Sequence, residues 1–96
     1  MEQRADAFIG LPGGFGTLEE LLEIITLKQL HIHDKPIVLL DIDQAFQGLI
    51  EQFKYGYENM LIKPEYSKLY YVAKDVKETL RYINEYSPVT FGDKWF

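Results

Sequence analysis

Three short apolar runs, Ala7–Leu11, Ile37–Ile42 and Leu69–Ala73, begin 30 and 32 residues apart, and this rhythm constrains the fold more than any other feature of the chain. Parallel strands need a long crossover, usually a helix, so a repeat of this length reads as βα units feeding one parallel sheet. Ile37-Val38-Leu39-Leu40 shows no polar alternation, as expected of a strand covered on both faces. The intervening segments carry helical periodicity. Thr17 to about His31 places Leu18, Leu21, Leu22 and Ile25 on one face, widened by Ile24 and Leu27. A face that broad predicts a second covering surface, such as another subunit. Gln44 to about Met60 spaces Phe46, Leu49, Ile50, Phe53 and Tyr57 helically, although Gly48 and Gly56 weaken the pattern. Asp75 to Tyr86 opens on an N-cap aspartate with Glu78 three residues on, followed by Leu80 and Ile83.

The expected class is therefore α/β, with three βα units over residues 1–86 and a tail over 87–96 whose Trp95 and Phe96 have no periodic context. Three parallel strands leave two open edges, which such folds rarely tolerate. The chain thus reads as the C-terminal half of a doubly wound domain. Its first strand lacks the neighbour that would form the other wall of a crevice at the switch point.

Charge and composition narrow the partners. The net charge of −5, without a Lys/Arg cluster, argues against nucleic acid and anionic membrane. No apolar run reaches the ~18 residues of a membrane span, and Met1-Glu2-Gln3-Arg4 does not open a signal peptide. The absence of cysteine excludes disulfides and thiol catalysis and fits a reducing cytoplasm. A small-molecule ligand is the expected partner.

The candidate site is Pro12-Gly13-Gly14-Phe15-Gly16-Thr17-Leu18-Glu19-Glu20, set between the first strand and the first helix. Glycines there let the backbone approach an anion, and the first helical N–H groups point at it with the helix dipole behind them. Rival phosphate motifs fail on spacing. No lysine lies near the loop for a P-loop, and Gly13-Gly14-x-Gly16 is not Gly-x-Gly-x-x-Gly. Asp41 and Asp43 read as a strand terminus and a helix cap. His31 and His33 lack a third ligand and read as structural, so no metal site is expected. From spacing alone, Thr17-x-x-Glu20 is also a capping box, in which Glu20 does no chemistry.

The nine-residue run resembles the Pro-Gly-Gly-x-Gly-Thr-x-x-Glu signature of the Lonely Guy phosphoribohydrolases, once described as possible lysine decarboxylases. Ala5-Asp6-Ala7-Phe8-Ile9 and Gln29-Leu30-His31-Ile32-His33-Asp34-Lys35-Pro36 extend the resemblance to roughly residues 5–86. The resemblance implies a Rossmann-like fold, a homodimer through the helix after the glycine loop, and no cofactor. It also implies hydrolysis of the N-glycosidic bond of a nucleoside 5′-monophosphate, a cytokinin riboside monophosphate or AMP. Gly13, Gly14, Gly16 and Thr17 would hold the 5′-phosphate, and Glu20 would be the catalytic carboxylate, reversing the choice that spacing alone favours.

The sequence also departs from that family. The Arg-Lys pair and the earlier glycine-rich segment expected upstream are not present, and Arg4 is too close to the loop to replace the arginine. Leu27 and His31 stand where the family commonly has tryptophan and glycine. The alternative expectation is a non-catalytic nucleotide-binding or dimerisation module that retains only the phosphate loop.

Overall fold

A computed structural model describes residues 6–88. Arg4, Trp95 and Phe96 lie outside these residues. Strand β1 (Phe8–Gly10), helix α1 (Phe15–Gln29), strand β2 (Ile37–Leu40), helix α2 (Gln47–Glu58), strand β3 (Tyr71–Ala73) and helix α3 (Val76–Glu85) follow in that order. The strands form one parallel sheet in the order β1-β2-β3, with Phe8 opposite Ile37 and Val38 opposite Tyr71. This is a Rossmann-like α/β arrangement, the class the βα rhythm predicts.

The unbroken apolar run of β2 is explained by what lies on each side of it. Ile37 and Leu39 point into a cluster with Leu21 and Ile24 of α1 and Phe46, against which Leu49 and Ile50 of α2 also pack. Val38 and Leu40 point the other way, to Ala73 and to Tyr82 and Ile83 of α3. Because side chains alternate along a strand, two covered faces require apolar residues at every position.

Apart from α1, which keeps its length and shifts by two residues, the observed elements are shorter than the periodicity suggests. Helix α2 begins at Gln47 rather than Gln44, because Asp43 and Gln44 both have positive φ (54° and 60°) and a 3₁₀ turn, Ile42–Gln44, intervenes. Asp41, at the end of β2, secures this turn by accepting the Phe46 N–H at 2.6 Å and the Gln47 side-chain amide at 2.8 Å. Asp41, rather than Asp43, is therefore the carboxylate that holds the chain at the approach to α2, and no side chain caps that helix.

A second 3₁₀ helix, Pro64–Leu69, takes the start of the third apolar run, so β3 begins at Tyr71. Tyr66 and Leu69 of that segment are buried against Ile25 and Ile62. Gly56 makes the packing possible, since a methyl group built on it would sit 2.6 Å from Ile62 Cδ1. The glycine that weakens α2 locally is thus needed for the chain's return across it.

Helix α3 matches its expected start. Asp75 is the N-cap and accepts the Glu78 N–H at 2.8 Å. Glu78 does not reciprocate to the cap. Its carboxylate accepts the Lys74 N–H and the Tyr71 hydroxyl, which together hold it below the usual carboxylate range.

Candidate active site

The glycine loop leaves β1 at Gly10 and enters α1 at Phe15, two residues earlier than the apolar pattern predicts. Gly14 is the N-cap, no side chain caps the helix, and no acidic residue lies in its first turn. The first bond of the helix runs from the Leu18 N–H to the Gly14 carbonyl at 3.1 Å. The N–H groups of Phe15, Gly16 and Thr17 consequently have no intrahelical acceptor, as at any helix start. They face outward at the positive end of a 15-residue helix.

This geometry overturns the capping-box reading of Thr17 and Glu20. Thr17 is the third helical residue rather than the cap, and Glu20 lies a turn further in, beyond reach of the N-cap N–H. Glu20 is exposed, and its side chain makes no hydrogen bond to another of the described residues.

Glu20 instead lines a cleft of about 420 Å³. Thr17, Glu20, Leu21 and Ile24 form one wall at helical spacing, and the segment from Phe8 to Pro12 forms the floor and the other side. The candidate residues Thr17 and Glu20 are therefore brought together in one depression beside the loop. Gly13, Gly14 and Gly16 do not line it. The apolar wall of Ile9 and Leu11 was not singled out from the sequence. Its signal is position, because α/β sheets bind ligands beyond the carboxyl ends of their strands.

The glycines differ in what requires them. A methyl group on Gly13 would sit 2.5 Å from Thr17 Oγ1, so this residue must be glycine for the loop to pack on the helix. Gly14 and Gly16 would meet nothing within 4 Å, and neither has positive φ. The folded chain itself gives no reason for glycine at those two positions.

The histidines have structural partners. His33 Nε2 lies 3.0 Å from the Ile24 carbonyl, and its Nδ1 accepts the Lys35 N–H at 3.1 Å. These partners require the neutral tautomer with the proton on Nε2. His31 is the left-handed residue that ends α1, with φ 66°. Among the described residues, no group of three or more His, Cys, Asp or Glu side chains converges as a metal site would require. No helix among them is long and apolar enough to cross a membrane.

Residues 1–83 match the family model described as "Possible lysine decarboxylase". The chain belongs to this family. A cytokinin riboside 5′-monophosphate phosphoribohydrolase of Arabidopsis thaliana is 44% identical over 88 residues, covering 92% of this chain and 41% of that protein. A second from the same plant is 41% identical over 92 residues, covering 96% and 40%. A probable phosphoribohydrolase of the same description from Oryza sativa subsp. japonica is 44% identical over 88 residues, covering 92% and 36%. The chain thus spans about two fifths of the length of the curated relatives it matches.

Proposed function

We propose that this chain supplies the phosphate-binding loop and the catalytic carboxylate of a nucleoside 5′-monophosphate phosphoribohydrolase. The observation that carries the reading is the placement of Glu20 in the cleft that opens beside the uncapped start of α1. A 5′-phosphate fits the N–H groups of Phe15, Gly16 and Thr17 and the Thr17 hydroxyl. Gly14 and Gly16, which no contact within the chain requires, leave room for it. The names of the relatives favour a cytokinin riboside monophosphate as substrate, with AMP as the simpler member of the same class.

In the reaction the C1′–N bond breaks, its electron pair leaves with the base, and water adds to C1′. Ribose 5-phosphate and the free base result. Positive charge develops on the sugar in the transition state, as in glycoside hydrolysis. A carboxylate at Glu20 would stabilise that charge or take the proton of the attacking water. Phosphate binding, remote from the breaking bond, would fix the sugar against the carboxylate.

A homodimer through α1 belongs to this reading. Leu22, on the exposed side of the helix, borders an apolar groove shared with Phe53, Tyr57 and Leu61 of the α2 region. One observation favours the second reading, a nucleotide-binding module without catalysis. Among the described residues, β1 pairs only with β2, so the cleft has no sheet wall on its far side.

Incubation with AMP and with isopentenyladenosine monophosphate, assayed for ribose 5-phosphate, separates the two readings. Release supports the hydrolase, whereas binding without release supports the module. In an active assembly containing this chain, Glu20→Gln is expected to leave the melting temperature unchanged and to reduce turnover at least ~10²-fold, the usual range for a general base. An unchanged rate would remove Glu20 from the chemistry.

A further inference from the structure

The segment from His33 to Pro36, between α1 and β2, forms a bracket behind the cleft. His33 is half-buried and donates its Nε2–H to the Ile24 carbonyl of α1 at 3.0 Å. Its Nδ1 accepts the Lys35 N–H at 3.1 Å, which fixes the rotation of the ring as well as its tautomer. The next residue, Pro36, accepts the Phe8 N–H of β1 at 3.0 Å. The imidazole also lies against the Phe8 ring, with centroids 5.3 Å apart and planes tilted by 53°. The Tyr86 hydroxyl, from just beyond α3, donates to the Asp34 carbonyl at 2.8 Å and braces the segment.

The two residues joined by this bracket, Phe8 and Ile24, both line the Glu20 cleft, one from β1 and one from α1. They stand at its end remote from the glycine loop, because β1 runs from Phe8 towards the loop and α1 runs away from it. At about 1.5 Å per residue, Ile24 lies about 10 Å beyond Thr17 and about 6 Å beyond Glu20 along the helix.

We propose that His33 is a positioning residue for the reaction: by joining α1 to β1 at the far end of the cleft, it sets the distance at which Glu20 meets the sugar. The inference rests on the phosphoribohydrolase reading of the cleft. In that reading the start of α1 holds the phosphate at one end, His33 fixes the other end, and Glu20 lies between. Loosening the His33 end moves Glu20 and leaves the phosphate-binding N–H groups in place. The signature is a loss of turnover without a loss of affinity, since only the geometry at the reacting carbon changes. A histidine that only stabilises the fold lowers the melting temperature and leaves both kinetic constants unchanged wherever the fold is intact.

Two variants separate the two bonds of the imidazole. Glutamine carries an amide N–H at the reach of Nε2, so His33→Gln keeps the bond to Ile24. Asparagine carries a carbonyl at the reach of Nδ1, so His33→Asn keeps the bond to Lys35 and gives up Ile24. Both are assayed with AMP in an active assembly containing this chain, below the melting temperature of each variant. His33→Asn is expected to lower kcat at least ~10-fold, since a misplacement of about 1 Å can cost ~10²-fold. Its KM should stay within about twofold of the parent, while His33→Gln recovers kcat to within about threefold. An undiminished kcat in His33→Asn overturns the proposal, as does a loss carried by KM or an equal loss in both variants. Hydrogen exchange in the full chain gives a readout independent of turnover. The amides of α1 from Leu21 to Lys28 should exchange faster in His33→Asn than in His33→Gln, and equal exchange also overturns the proposal. A parent assembly that releases no ribose 5-phosphate removes the hydrolase reading itself, an outcome distinct from an active parent whose variants behave alike.

Discussion

The glycine loop shows how one residue type serves two different purposes three residues apart. Gly13 is fixed by contact with Thr17, and replacing it with alanine forces a side chain into occupied space, a change that typically costs about 1–3 kcal/mol. Gly16 lies within the first turn of α1, at negative φ and facing open space. There alanine is the better helix former by roughly 0.5–1 kcal/mol. Gly16→Ala is therefore expected to raise the melting temperature while weakening AMP binding, measured by thermal unfolding and by calorimetric titration. A stabilised variant that binds AMP as tightly as the parent would mean that nothing approaches Gly16, and would sink the phosphate reading of that position. The loop was legible in the sequence because its glycines, threonine and glutamate stand at fixed offsets after an apolar strand. Lys28 was not legible. A lysine in a helical pattern reads as a solvent residue, and only the return of Leu69 and Tyr86 across α1 removes it from water.

At the scale of elements, both ends of α1 depart from the periodic pattern, and each for a local reason. Its start shifts to Phe15 because Gly14 takes the cap. Its end is a paired-bond motif in which the Ile32 N–H reaches the Leu27 carbonyl at 2.9 Å and the His31 N–H reaches the Lys28 carbonyl at 3.1 Å. That motif places His31 in the left-handed region, where glycine is the usual residue and an ordinary side chain costs roughly 1–2 kcal/mol. Part of this relief is returned as unfolded-chain entropy of about 0.4–1 kcal/mol when glycine is introduced. His31→Gly is accordingly expected to raise the unfolding free energy by about 0.5–1 kcal/mol, read from the denaturant midpoint at constant slope. A lower midpoint would show that the imidazole makes a compensating contact. The strands, the three helices and the Asp75 cap were legible because burial on two faces and capping chemistry leave direct marks in sequence. The 3₁₀ segments were not. Asp43 and Gln44 carry positive φ without glycine or asparagine to announce it, and the turn is held by Asp41 and by burial of Phe46.

At the scale of the molecule, the breadth of the α1 apolar face is resolved into two unequal parts. Leu18, Leu21, Ile24 and Ile25 turn towards the chain's own core, so most of the apparent excess needs no partner. Leu22 remains, 39% exposed, on the rim of a groove of about 180 Å³ whose opposite side is built from Phe53, Tyr57, Leu61 and Tyr70. The phenols of Tyr57 and Tyr70 lie 2.6 Å apart at this groove and share one hydrogen bond. Met60 and Leu61 protrude beside it. A two-fold dimer places the same patch against itself, so a charge at Leu22 would be introduced twice and would be desolvated in each copy. In a monomer the same change falls on a partly exposed helix position and is expected to alter stability by no more than about 0.5 kcal/mol. Leu22→Glu is therefore expected to halve the sedimenting mass while leaving the unfolding midpoint at high dilution nearly unchanged. A parent chain that sediments as a monomer, or a variant that remains dimeric, would show that the groove is not the contact between copies. The apolar part of α1 would then be accounted for by the core alone.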